Sequence, residues 1–268
     1  MRSEKRARAE LPKVSARVVR LFAAYSRWYI LRRFHAIRVL RSGQPPRGIS
    51  RPLVIYLNHA SWWDPLICLY LSRKFFSSRR SFAPIDAESL RKYAFFAFIG
   101  IYGVEQRSAR GALKFLRTTT AILSWEENVV WLTPQGRFMD ARERPLRLER
   151  GIGALAERSG EAAFLPLAVE YTFWTEPQPE ILVSFGEIAI PGKEPPRDID
   201  GWTEHFSSAL EAAQDELATR SCRRDPADWL LIDKGASGVS PIYDAWRLLR
   251  ARMGGKEFVR EHQPEKQN

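Results

Sequence analysis

The chain has 268 residues, 45% of them hydrophobic and 27% charged, enough to bury one sizeable core. Its two cysteines, Cys68 and Cys222, stand in unlike surroundings with no spaced metal ligands, which argues against a disulfide framework or a zinc site and predicts buried, reduced thiols. The formal net charge is +11, and residues 1–41 hold twelve Lys or Arg against Glu4 and Glu10, a net of +10 that leaves the body close to neutral.

Within that basic leader, Val14, Val18, Leu21, Phe22, Tyr25, Trp28 and Tyr29 recur at helical spacing, with Arg17, Arg20 and Arg27 among them. A second apolar set, Phe34, Ile37, Val39 and Leu40, follows Arg32-Arg33. Residues 1–42 therefore read as a basic amphipathic helical leader that associates with a membrane surface. Its aromatic rings would lie at headgroup level, and each nearby cation would contribute about 1 kcal/mol at an anionic leaflet. The alternative is a helix packed on the domain with solvated arginines. Nucleic-acid contact has the charge but none of the recognisable motifs, so no nucleic-acid partner is expected. The N-terminus lacks the pattern of a cleavable signal, and the longest uncharged apolar run, Tyr93 to Val104, falls short of the ~20 residues a spanning helix needs. The expected location is peripheral or monotopic, on the cytoplasmic face of the membrane.

Gly43 to Pro52 forms a Pro/Gly linker into Leu53–Leu57, a short apolar run that reads as a buried strand. Beyond it, strands are predicted at Phe82–Ile85, Ile101–Glu105 and Val129–Leu132. Helices alternate with them over Asp86–Phe98 and from a Ser108 cap to about Ser124. Ala163–Tyr171 and Ile181–Phe185 read as an antiparallel pair, and Trp202–Ala218 as a helix. The alternation predicts an α/β fold: a mixed, largely parallel sheet flanked by helices, preceded by the N-terminal helical segment. The domain is expected over 50–220. Residues 221–268 are expected to form a C-terminal extension packed on it, with a helix at Ile242–Arg252 and a polar tail.

The stretch Asn58-His59-Ala60-Ser61-Trp62-Trp63-Asp64 sits where the first of these strands gives way to a helix at Pro65. On a regular helix, five positions turn a side chain by about 140°, so His59 and Asp64 meet only if the histidine lies on the loop and the aspartate on the first helical turn. A carboxylate on one imidazole nitrogen would then fix the tautomer and leave the other nitrogen to take a proton from a hydroxyl. The same residues also fit a structural role: Ser61-x-x-Asp64 approximates a capping box, and Asp64-Pro65 an N-cap followed by proline.

Four places line up at predicted strand ends: Asn58-His59-x4-Asp64, Gly100 to Gln106, Thr133-Pro134-Gln135-Gly136, and Leu165-Pro166-Leu167. From about residue 50 to 190 this resembles the glycerolipid acyltransferase family, the lysophosphatidate acyltransferase-like enzymes. The resemblance implies transfer of a fatty acyl group from acyl-CoA or acyl carrier protein to a hydroxyl of a lysophospholipid or related lipid. His59 would be the general base, Asp64 would orient it, and backbone N–H groups near Gly136 would support the oxyanion. No acyl-enzyme, cofactor or metal is implied. Asn58, Ser61, Gln106, Arg107, Gln135, Gly136, Arg137 and Pro166 are the substrate-binding candidates.

Two departures bear on the acceptor. The family's second block ends in an acidic residue and arginine, where this chain has Glu105-Gln106-Arg107. Its third block reads Pro-Glu-Gly-Thr-Arg, where this chain has Pro134-Gln135-Gly136-Arg137-Phe138. Those family arginines are implied to hold the acceptor's phosphate, and a one-residue shift turns a strand side chain to the opposite face. A non-phosphorylated acceptor, such as a glycolipid or glycosylated terpenoid, therefore stands beside the lysophospholipid, with glutamine contacting hydroxyls. Arg142, Arg144, Arg147 and Arg150 are either a replacement anion site or a solvated face. Two rival readings are an inactive lipid-binding homologue and a hydrolase using Ser61, although no Gly-x-Ser-x-Gly elbow is present.

Overall fold

The computed structural model describes residues 11–105 and 108–237. Helix α1 (Ala16–Arg33) leads into strand β1 (Ala36–Leu40), followed by β2 (Leu53–Leu57), α2 (Asp64–Phe75), β3 (Arg80–Asp86), α3 (Ala87–Lys92) and β4 (Ile101–Val104). Then come α4 (Ala109–Ile122), β5 (Asn128–Leu132), α5 (Gly151–Arg158), β6 (Ala163–Thr172), β7 (Glu180–Phe185), α6 (Ile199–Arg223) and β8 (Trp229–Lys234). The eight strands form one sheet in the order β4-β3-β5-β2-β6-β7-β1-β8. Strand β2 runs parallel to β5 and β6, β3 to β4 and β5, and β1 to β7, while β6–β7 and β1–β8 are antiparallel. This is the mixed, largely parallel α/β sheet expected, including the antiparallel β6–β7 pair.

Strand β2 is central and buried on both faces, which explains its unbroken apolar run. Leu53, Ile55 and Leu57 pack in one core with Ile67 and Leu71 of α2, while Val54 and Tyr56 pack in the other with Phe206 and Leu210 of α6. Each such side chain contributes about 1.5–3 kcal/mol on burial.

The expected boundary at residue 42 does not divide the fold. Ala36 to Leu40 leaves the helical leader and becomes β1, every residue buried, between β7 and β8. The cause is a change of period: Ile37 and Val39 face the α2 side of the sheet, while Leu40 faces the α6 side. The one cation of this strand, Arg38, is buried with its Nε 3.0 Å from Glu180 Oε2. His35 is buried too, its Nδ1 3.1 Å from the Ala236 carbonyl oxygen. Likewise residues 221–234 are no appendage, because α6 runs to Arg223 and β8 closes the sheet beside β1. The helix expected at 242–252 lies outside the described residues.

Between β3 and β4 the expected single helix is α3 followed by a 3-10 turn, Ala94–Phe98, carrying exposed Phe95 and Phe98. Helix α5 was not anticipated. Helix α1 docks along the domain: Arg27 holds Asp233 through two bonds of 2.8 and 2.9 Å, Tyr29 packs on Trp63, and Phe22 on Phe95. Its outer face leaves Leu21, Tyr25 and Trp28 exposed at i, i+4 and i+7. Among the described residues no helix is long and apolar enough to cross a membrane.

Candidate active site

Because β2, β5 and β6 are parallel, their carboxyl ends share one edge of the sheet, the position where α/β folds open their sites. Strand β2 stops at Leu57, paired with Leu167, while β6 continues to Thr172. The side chain of Asn58 extends the ladder in place of backbone: its Nδ2 donates to the Val169 carbonyl at 2.9 Å and its Oδ1 accepts from the Val169 N–H at 2.8 Å. Released from the sheet, the next residue, His59, turns into the loop.

His59 Nδ1 lies 2.7 Å from Asp64 Oδ2, the histidine on the loop and the aspartate in the first turn of α2. Trp63 occupies the N-cap position without a side-chain cap, so Asp64 is not the N-cap. Instead the Asp64 carboxylate reaches back, its Oδ2 accepting the Ser61 N–H at 3.0 Å while its charge sits at the helix N-terminus. On the other oxygen, Oδ1 accepts the Tyr171 hydroxyl at 2.6 Å. Asp64 is 1% exposed and the His59 side chain 19%, so the carboxylate is sealed and the imidazole remains reachable. With Nδ1–H donated to the carboxylate, Nε2 carries the lone pair of the neutral ring.

A strap from the β5–α5 connection holds His59 from the other side. The His59 N–H donates to Gln135 Oε1 at 2.6 Å, and the Met139 N–H donates to the His59 carbonyl at 2.9 Å. Between these anchors Gly136 adopts a φ of +67°, which favours glycine, and its N–H closes the turn on the Thr133 carbonyl at 3.1 Å. The strap also brings the Phe138 ring to 4.2 Å from the imidazole, centroid to centroid, with Phe138 itself 59% exposed.

Aromatic packing joins the site to the start of the chain. Trp63 meets Tyr29 at 5.2 Å and Phe34 at 4.9 Å, and Phe34 lies 5.8 Å from Tyr171. Burial, then the neighbouring Asp64 charge, pushes the Tyr171 phenol well above its ordinary range, so it remains a donor. Desolvation, then the neighbouring Asp64 charge, raises the Cys68 thiol; of the two thiols expected buried, Cys68 is half-buried and Cys222 is exposed.

No family model matches the chain, and no curated protein matches it. The fold has a solved counterpart. The chain is similar to the 1-acyl-sn-glycerophosphate (LPA) acyltransferase PlsC from Thermotoga maritima, with a TM-score of 0.50 at 15% identity over 75% of this chain and 80% of that one. At this identity the likeness shows a common α/β fold.

Several expected substrate contacts take structural places instead. Asn58 spends its amide on Val169 and is buried. Gln135 is buried with its Oε1 on the His59 backbone and its Nε2 3.5 Å from Met139 Sδ, so it does not present to an acceptor. The Gly136 N–H is committed to its turn, which leaves the exposed residues Arg137 and Phe138 as the next sources of N–H groups. Pro166 lies within β6, paired with Tyr56. Its carbonyl accepts from Gly186, and its missing N–H falls just outside the β6–β7 ladder that starts at Leu167. The Ser61 Oγ accepts the Trp63 N–H at 3.2 Å. Gln106 and Arg107 lie outside the described residues. Arg142, Arg144 and Arg150 pair with Asp140, Asp215 and Asp200, the solvated-face arrangement. Tyr171 and Phe138 were not singled out: nothing in the spacing of a strand end or a turn announces what its side chains will touch. Among the described residues no cluster of potential metal ligands occurs.

Proposed function

We propose that the chain is an acyltransferase that moves a fatty acyl group from an acyl thioester, acyl-CoA or acyl carrier protein, to a hydroxyl of a lysophospholipid or related lipid. The observation that carries this reading is the His59–Asp64 pair, 2.7 Å apart with the carboxylate sealed and the ring reachable at the carboxyl edge of the sheet. His59 Nε2 takes the acceptor's O–H proton as the oxygen attacks the thioester carbonyl carbon. The oxyanion is met by N–H groups of the Arg137–Phe138 strap, and collapse breaks the C–S bond. The imidazolium returns the proton to the departing thiolate, so ester and thiol form in equal amounts. Purified protein given acyl-CoA or acyl carrier protein with lysophosphatidate or a glycolipid should release thiol and acylated product one for one; thiol release without ester would indicate a hydrolase, and neither product with any of these donor and acceptor pairs a binding protein.

A peripheral or monotopic position on the cytoplasmic face follows from the same reading. Exposed Leu21, Tyr25 and Trp28 sit on a helix whose cations include Arg17, Arg20 and Arg32, the last stacked 5.0 Å from the Trp28 ring. Such a face suits an interface rich in anionic lipid.

Phe138 favours a second acceptor. It packs on His59 at the place where the resemblance expects a phosphate-binding arginine, and Arg142, Arg144 and Arg150, which follow it in the chain, are paired with carboxylates. A non-phosphorylated lipid such as a glycolipid or glycosylated terpenoid meets an aromatic wall there without an unmatched charge. Phe138→Arg separates the two: under this reading it raises kcat/KM for lysophosphatidate relative to a glycolipid by about tenfold or more, and an unchanged ratio refutes it.

A further inference from the structure

We infer that Tyr171 is a positioning residue of the reaction, holding the Asp64 carboxylate in the one orientation that aims His59; this rests on the reading of His59 as the base. The two oxygens of Asp64 divide their work. Oδ2 receives His59 Nδ1 at 2.7 Å and the Ser61 N–H at 3.0 Å, while Oδ1 receives the Tyr171 hydroxyl at 2.6 Å. Rotation about the last bond of an aspartate is broad and nearly two-fold, so a carboxylate held by one oxygen alone swings easily. The tyrosine removes that freedom with a short, charge-assisted bond.

Tyr171 can do this because it is itself fixed. It lies two residues beyond Val169, on the same face of β6, and the Val169 backbone is clasped by Asn58 from the residue just before His59. Its ring leans on Phe34, which is wedged against Trp63 at the mouth of α2. Strand β6 therefore sets the carboxylate from one end while β2 delivers the imidazole from the other.

Tyr171→Phe in the full chain removes the hydroxyl and keeps the ring packing, so the fold survives. The expected result is a kcat lower by about ten- to a hundredfold, the scale of one hydrogen bond to a charged group, with the KM of thioester and acceptor within about twofold. In an Asp64→Asn background, where the orienting charge is already gone, the same change should cost less than about twofold. A full kcat in Tyr171→Phe, or an undiminished loss in the Asp64→Asn background, overturns the inference. If His59→Ala keeps its turnover, the base reading itself has failed; if His59→Ala loses turnover and Tyr171→Phe does not, only the role of Tyr171 has failed.

Discussion

Asn58→Ala tests whether the residue before the histidine binds substrate or builds the site. Its amide makes two hydrogen bonds, 2.9 and 2.8 Å, to the carbonyl and N–H of Val169, all at a buried position. Truncation removes both bonds and leaves two backbone groups of β6 without partners. At about 1–3 kcal/mol for each buried group left unsatisfied, the structure predicts a loss of roughly 2–6 kcal/mol. In a domain of this size each kcal/mol corresponds to about 2–4 °C, so the melting temperature should fall by about 4–24 °C in a calorimetric or fluorescence scan. Steady-state assays at a temperature where the variant stays folded should show a lower kcat with little change in acceptor KM, since His59 loses its anchor. An unchanged melting temperature together with a raised acceptor KM would refute the reasoning and return Asn58 to the substrate.

Arg38→Ala takes the guanidinium away from the buried Glu180 carboxylate, leaving His35 Nε2 3.9 Å from it, and should destabilise the chain by about 3–5 kcal/mol in denaturant melts; a loss below 1 kcal/mol would show that β1 is not held by this pair. Replacing Leu21, Tyr25 and Trp28 together by Ser should release the protein from anionic liposomes in a sedimentation assay while leaving its melting temperature nearly unchanged, because these side chains face outward. Undiminished liposome binding would place the attachment elsewhere.

The His59–Asp64 meeting was legible because a five-residue spacing across a strand-to-helix junction restricts the geometry, and the apolar run of β2 announced a strand buried on both faces. β1 was not legible. Its apolar residues follow a basic helix without a break, and Arg38 looks like one more surface cation until Glu180, 142 positions later, is seen beside it. The motif residues told a similar story: their types marked the loop, but Gln135 and Asn58 turned their amides on the backbone, a choice made by β5 and β6 lying next to β2. Tyr171 escaped for the same reason, since its partner Asp64 lies 107 residues earlier.

The most direct test is the acyl-transfer rate of His59→Ala against the unaltered chain, with the same thioester, acceptor and liposome surface, in protein shown to melt cooperatively. A general base of this kind accounts for about 10² to 10⁴ in rate, so kcat should fall by that factor while the thioester still binds. A folded His59→Ala variant that transfers acyl groups at the original rate would contradict the account.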